Sequence, residues 1–440
     1  MTDDSGAVPG DLQNVRGAVY FPRKDWNAYQ LWANYEDAVV ERDLGYAASL
    51  GLNSLRVWTS YEYWRENGPA FFSRVEHFLA TCERRGIRPL MVLFEAPPKD
   101  PPTEENLRAT DPANGFGVHS PSRPEIIRKR NWKGYARSPI HFARRWAEKY
   151  GEDDRVLATE IMNEPGKVRP RRDFVFDALA EVREAAPDAT LTMGTKDVYF
   201  SRLYDRDGDL DVYQFHMNLP LNPRVAEEYV ADQHERAAEG DGDGAKKPIW
   251  CTEWQRTLEE PPVRFAPNLA SLAPTIQEAH EAGTIDGNFF WALMLKPAYL
   301  REPRKKGRIN GLFHPDGSVY STADARALAA GTPAVDALDV AEYRALPADW
   351  NAHPFPYPSL SGVSGAADGA SGAGALSASD APDANAKGTA DRTSRDAAKS
   401  DRTASAVRSD DALAAVPPEV EQSLVDRIRA ALKFDLERDP

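Results

Sequence analysis

"LATEIMNEPG", residues 157–166, is an apolar run that stops on an amide, a carboxylate and a proline. Pro165 lacks an N–H and ends any strand ladder it follows, which accounts for the stop but not for Asn163 and Glu164 just before it. A second apolar run, "PIWCTEW" (248–254), places Glu253 where the first places Glu164. Working outward, short β-type runs recur along the chain: "VRGAVYF" (15–21), "LNSLRVW" (52–58), "IRPLMVLFEA" (87–96), "RVLATEIMN" (155–163), "ATLTMG" (189–194), "LDVYQFHM" (210–217), "KPIWCTEW" (247–254) and "GNFFWALM" (287–294). Longer stretches with helical periodicity separate them, such as "FFSRVEHFLATCERRG" (71–86), whose Phe72, Val75, Phe78 and Leu79 share one face before Gly86 closes the helix. "SPIHFARRWAEKYG", "DFVFDALAEVREAAP" and "LASLAPTIQEAHEAG" read the same way.

Continuous apolar strands mostly followed by helices predict parallel strands buried on both faces and closed into an α/β fold, a (β/α)8 TIM barrel. In that architecture catalytic groups stand at the carboxyl ends of the strands, where Glu164 and Glu253 fall. The longest insertion, 97–137, follows the third run and is rich in Pro, Asn and charge, so it is expected to form one wall of a cleft. The chain divides into a flexible N-terminus (1–14), the barrel (15–358), a Ser/Gly/Ala/Asp-rich disordered linker (359–415) and a C-terminal amphipathic helix (416–440). That helix carries Val420, Leu424, Ile428, Ala431 and Leu432 as one stripe, so residues 417–436 are expected to dock on the barrel, self-associate or bind a partner.

The 440 residues carry a formal net charge of −14, which argues against nucleic-acid binding, a role that needs a basic face. Two cysteines, Cys82 and Cys251, exclude a disulfide framework and read as small buried apolar residues. The beginning "MTDDSGAVPGDLQ" has no apolar core of a leader, and no run is long enough to span a membrane, so a soluble cytoplasmic acidic protein is expected. No glycine loop stands between a strand and a helix, so no nucleotide cofactor is expected. Histidines are scattered without the His-x-His spacing of a metal-dependent barrel hydrolase, so no metal site is expected either.

"IMNEP" and "WCTEW", taken with "NSLRVW", "QFHMN" and "FFWALM", resemble the clan A glycoside hydrolases, and most closely family 5, the cellulase and mannanase family. The resemblance spans residues 15–330. It implies a retaining O-glycoside hydrolase acting on β-mannoside or β-glucoside oligosaccharides by double displacement, with Glu164 as general acid/base and Glu253 as nucleophile. It further implies that Arg56 keeps Glu253 charged, that Asn163 holds the sugar 2-hydroxyl, that His216 contacts the site and that Trp291 is a platform for the sugar face. Trp254, Lys296 and Tyr299 are further cleft candidates. The chemistry agrees with this assignment if a neighbouring negative charge raises one carboxyl, expected to be Glu164, while cationic partners keep the other ionised.

The chain also departs from that pattern. Where relatives show a histidine after the third strand it has "VLFEAPP" with Glu95, and two residues beyond His216 it has Asn218 where relatives carry a tyrosine. Both positions belong to the wall of the subsite that holds the attacked sugar, so reaction type is better marked than substrate. Two other roles fit parts of the sequence: a barrel that binds carbohydrate without cleaving it, and a scaffold acting through the C-terminal helix.

Overall fold

The computed structural model describes residues 12–96, 104–122, 125–126, 136–218, 220–239, 246–257, 272–297, 299 and 309–329. The segments expected to form the linker and the C-terminal helix with its docking stripe lie outside the described residues. Each of the eight apolar runs contains a strand: β1 Val15–Val19, β2 Ser54–Trp58, β3 Leu90–Glu95, β4 Ala158–Asn163, β5 Leu191–Gly194, β6 Tyr213–Met217, β7 Ile249–Trp254 and β8 Gly287–Phe290. They form one eight-stranded sheet in the order β5-β4-β3-β2-β1-β8-β7-β6. Every ladder is parallel, and a parallel bridge between Thr192 and Val212 joins the β5 and β6 edges, so the sheet closes as a (β/α)8 barrel.

Helices cover the outside because their apolar stripes need the outer face of the sheet. The helix Tyr61–Glu83 buries Phe71, Val75, Phe78 and Leu79, so the register of its stripe begins at Phe71, and Phe72 is only partly buried. It also begins ten residues before the predicted stretch, at a Ser60 cap whose hydroxyl accepts from the Tyr63 N–H. Pro69 interrupts it: the backbone leaves the helical region at Asn67, as expected where a proline clashes with the preceding turn. Ser138 and Asn222 cap the helices Pro139–Tyr150 and Pro223–Ala238 in the same manner, a contribution of about 1 kcal/mol each.

The barrel interior is stacked in layers that prepare the site. At the amino ends of the strands Val15, Leu90, Leu157, Val212, Trp250 and Phe289 form an apolar plug. Leu12 belongs to it as well, and its carbonyl accepts from the Trp250 indole at 2.9 Å, so the barrel recruits chain that precedes Val15. Above the plug lies a fully buried polar layer of Arg56, Glu160, Thr192, Gln214 and Thr252. Gln214 ties it together, donating to Glu160 at 3.3 Å and to Thr192 at 3.0 Å while accepting from Thr252 at 2.7 Å. Gly194 makes room for this layer, because a Cβ there would stand 1.9 Å from Glu160 Oε1 and 2.9 Å from Arg56 Nη2. Both cysteines are free and buried.

Candidate active site

The third layer, at the carboxyl ends of the strands, holds the ionisable groups. Arg56 rises from the middle of β2 and makes four hydrogen bonds to three partners. It grips Glu160 through Nε and Nη2 at 2.8 and 2.6 Å, reaches Glu253 Oε1 through Nη1 at 2.7 Å, and donates to Asn163 Oδ1 at 2.7 Å. Burial works against its charge, but Glu160 and Glu253 outweigh burial and hold the guanidinium more firmly protonated than usual. Arg56 is completely buried, so it acts on the glutamates from below and offers nothing directly to a substrate.

Glu253, near the end of β7, is therefore anchored on one oxygen by Arg56 and on the other by Asn218, whose amide donates to Oε2 at 3.0 Å. Glu164 follows β4 in a left-handed conformation, φ 48°, which costs a residue with a Cβ about 1 kcal/mol. Its N–H donates to the Gly194 carbonyl at 2.6 Å, and this bond helps to hold the strained turn in place. The turn aims its carboxylate at His216 Nδ1, 3.0 Å from Oε1, and at Lys196 Nζ, 3.1 Å from Oε2. The same imidazole nitrogen is 3.5 Å from Glu253 Oε2, so His216 stands between the two carboxylates. One oxygen of each glutamate and this imidazole lie within 4.8 Å of one another.

Electrostatics depart from the expected pattern here. Burial pushes the Glu164 carboxyl up, but His216 and Lys196 more than offset it and bring its pKa down to about 2. The raised carboxyl is instead Glu95, at the end of β3: burial lifts it well above the usual range, and the charges of Glu164 and Glu253 lift it further against the opposing pull of Asn163 and Arg56. The physical reason is that Lys196, from the β5 end, neutralises Glu164, whereas Glu95 has no cation of its own in contact among the described residues. Asn163 links the two regions, accepting from Arg56 on its oxygen and donating to Glu95 Oε1 at 2.8 Å.

Trp291 follows β8 and is 7% exposed, held by T-shaped contacts from Trp58, Phe116 and Tyr299. Phe116 comes from the long insertion after β3, whose described stretch around it packs here: Asn27 and Trp26 donate to its Gly115 and Thr110 carbonyls at 2.9 and 3.0 Å. Two expected cleft residues lie elsewhere. Trp254 follows Glu253 in the strand and so points to the opposite face, fully buried with its ring against Phe290 and its indole donating to Asn288. Lys296 is buried inside a box of Phe21, Trp26 and Tyr299, with its ammonium donating to the Asp25 carbonyl. Burial brings its pKa down to about 7 in spite of Asp25 and Asp43. Tyr299 is buried as well, and it supports the Trp291 ring from behind.

Sequence reasoning missed Glu160 and Lys196. Glu160 had a signal, since a carboxylate in the middle of a run buried on both faces demands a partner, and Arg56 is the matching mid-strand cation. Lys196 had none beyond its place at a strand exit. Glu164, His216 and Glu253 form the one set of metal-ligand donors found among the described residues. Lys196, Arg56 and Asn218 already occupy oxygens of its two carboxylates, which suits the set to proton and nucleophile chemistry.

No family model matches the chain, and no curated protein matches it. Among solved structures it is similar to an exo-β-1,4-mannosidase from Opitutaceae bacterium strain TAV5, with 17% identity over 73% of this chain and 59% of that one and a TM-score of 0.49. It is also similar to an endo-β-1,4-mannanase from Thermotoga petrophila, with 14% identity over 66% of this chain and 69% of that one and a TM-score of 0.44. A family 5 glycoside hydrolase mannosidase from Rhizomucor miehei shares 16% identity over 72% of this chain and 92% of its own, with a TM-score of 0.47. The chain spans 59% of the length of the first of these structures. No helix among the described residues is long and apolar enough to cross a membrane.

Proposed function

We propose that the protein is a retaining β-glycoside hydrolase of the clan A, family 5 type. The observation that carries this reading is the approach of the strand-four and strand-seven glutamates, whose carboxylate oxygens lie within 4.8 Å of each other at the carboxyl end of the barrel. Retention requires carboxyl groups about 5–5.5 Å apart, since one must reach the anomeric carbon while the other reaches the leaving oxygen; inversion needs about 6.5–9.5 Å to admit a water.

The partners divide the roles. Glu253 is bound to an arginine that never gives up its charge and to an amide that only donates to it, so both support a standing carboxylate, the form a nucleophile needs. Glu164 faces an imidazole nitrogen that can donate or accept, and a lysine whose side chain is 57% exposed. It can therefore exist in both protonation states, as an acid/base must. In the first step Glu253 attacks the anomeric carbon while the Glu164 proton passes to the departing oxygen. In the second, Glu164 takes a proton from water, which attacks the same carbon and releases Glu253.

A screen of aryl β-mannosides, β-glucosides and β-galactosides, with the anomer of the first product read by NMR, tests the reading. Hydrolysis with release of the β-anomer is the expected result; the α-anomer first would mean inversion, and no hydrolysis of any member would remove the assignment. β-Mannosides and β-glucosides are the proposed substrates on the strength of the strand-end motifs.

Protonation of Glu164 requires its ion pair with Lys196 to open as the leaving group docks. Lys196→Met removes a charge that lowers the Glu164 pKa, so the acid form should persist to higher pH. The alkaline limb of kcat, which reports the acid in the enzyme–substrate complex where the proton is held, should accordingly move upward by about one pH unit. An unmoved limb would show that Lys196 does not control this proton.

A further inference from the structure

Three carboxyl groups, not two, converge on the site, and the third has no role in the mechanism above. Glu95 is fixed by its backbone, which exchanges hydrogen bonds with Ser120 at 2.8 Å in both directions, and by the β3–β4 register that sets it beside Asn163. Its Oε1 accepts from Asn163 Nδ2 at 2.8 Å. Its Oε2 has no hydrogen-bond partner among the described residues, and the side chain is only partly buried, which leaves this oxygen free to meet a ligand.

The neighbouring charges decide its state. From β2 comes Arg56, already committed to Glu160 and Glu253; from β4 come Glu164 and the neutral Asn163; from β7 comes Glu253. On the other edge, Ser120 offers Glu95 its backbone and turns its hydroxyl to Glu62. If Glu95, Glu160, Glu164 and Glu253 were all ionised, Arg56 and Lys196 would balance only half of that charge, and even a charged imidazole at His216, between Glu164 and Glu253, would leave one carboxylate in excess. A proton on one carboxyl relieves the excess, and Glu95 is the one that makes no ion pair among the described residues.

We propose that Glu95 works as an uncharged carboxylic acid, its Oε2 hydroxyl donating to an oxygen of the sugar held for attack while Oε1 fixes the Asn163 amide. Glu95 then selects a neutral sugar with an acceptor oxygen beside the one Asn163 takes, and discriminates against an amino sugar, whose ammonium would call for a carboxylate. The inference rests on the glycoside-hydrolase reading for its ligand, but its test does not need turnover.

Two measurements on the full chain decide it. With glutamate labelled at Cδ with carbon-13, the difference between wild type and Glu95→Gln isolates one resonance, expected at pH 7 in the position of a protonated carboxyl. Calorimetric titration with the neutral gluco- and manno-configured 1,5-lactams should show wild-type affinity falling about tenfold per pH unit once Glu95 ionises. Glu95→Gln, which keeps a donor and has no charge to gain, should lack that fall, and Glu95→Leu should bind about tenfold more weakly at every pH. A carboxylate resonance at pH 7 would overturn the inference and leave the hydrolase reading intact. So would a wild-type profile matching that of Glu95→Gln, failure of both lactams to bind, or tighter binding of a 2-amino-gluco lactam than of its neutral counterpart at pH 8. Protonated Glu95 with pH-dependent lactam binding, in a protein that cleaves no glycoside, would uphold the inference and count against the hydrolase.

Discussion

Glu253→Ala is expected to lower kcat by about 10,000-fold or more on every substrate, roughly 5.5 kcal/mol of transition-state stabilisation, because no atom remains to form the glycosyl-enzyme. Glu164→Ala should behave differently. Substrates with poor leaving groups should lose nearly as much, whereas an activated phenol departs with little need of a proton and should keep much of the first step. Added azide separates the two positions stereochemically. In Glu164→Ala the anion occupies the space of the missing base and attacks the covalent intermediate, so a β-glycoside gives a β-glycosyl azide. In Glu253→Ala it attacks the substrate itself from the vacated nucleophile side and gives the α-azide. The standing ion pair of Glu253 with Arg56 and the switchable contact of Glu164 with His216 predict this order. Exchange of the two products would mean that the roles are reversed, and near wild-type activity in either variant would remove that glutamate from the mechanism.

The strand-end glutamates were legible in the sequence because a buried parallel strand has no use for a carboxylate at its exit unless something there needs it. All eight strands were legible for a related reason: strands covered on both faces read as unbroken apolar runs, whatever the helices between them do. Boundaries were less so. β2 begins at Ser54, not Leu52, and β5 at Leu191, not Ala189, since flanking apolar residues can pack without joining a ladder. Proximity in sequence misled at Trp254, where the pleat sends neighbours to opposite faces. The state of Glu164 was not legible, because it depends on Lys196 and His216, which arrive from other strands. Strand-local reading sees one carboxylate and its neighbours along the chain, while the pKa is set by what the closed barrel brings across.

Arg56→Met should be the costliest single change to stability. Methionine fills much of the same volume, but it takes the arginine from both Glu160 and Glu253, and Glu160 is wholly buried with no other cation in contact among the described residues. Breaking a buried pair in this way costs about 3–5 kcal/mol, which lowers Tm by roughly 10 °C in a domain of this size. Part of that loss comes from the stranded charge, not from the missing bonds, so a second substitution should recover it. Glu160→Gln keeps the hydrogen bond from Gln214 and removes the charge, and the Arg56→Met/Glu160→Gln pair should therefore regain a large share of the lost Tm. Activity should not return with it, because Glu253 then keeps only Asn218 and the more distant His216, both on Oε2, and Asn163 has lost the donor to its carboxamide oxygen. Thermal melts and kcat/KM measured on the same three variants separate these effects. Recovery of stability without activity assigns Arg56 to orienting and charging the nucleophile; recovery of both would reduce it to a structural ion pair beneath the site.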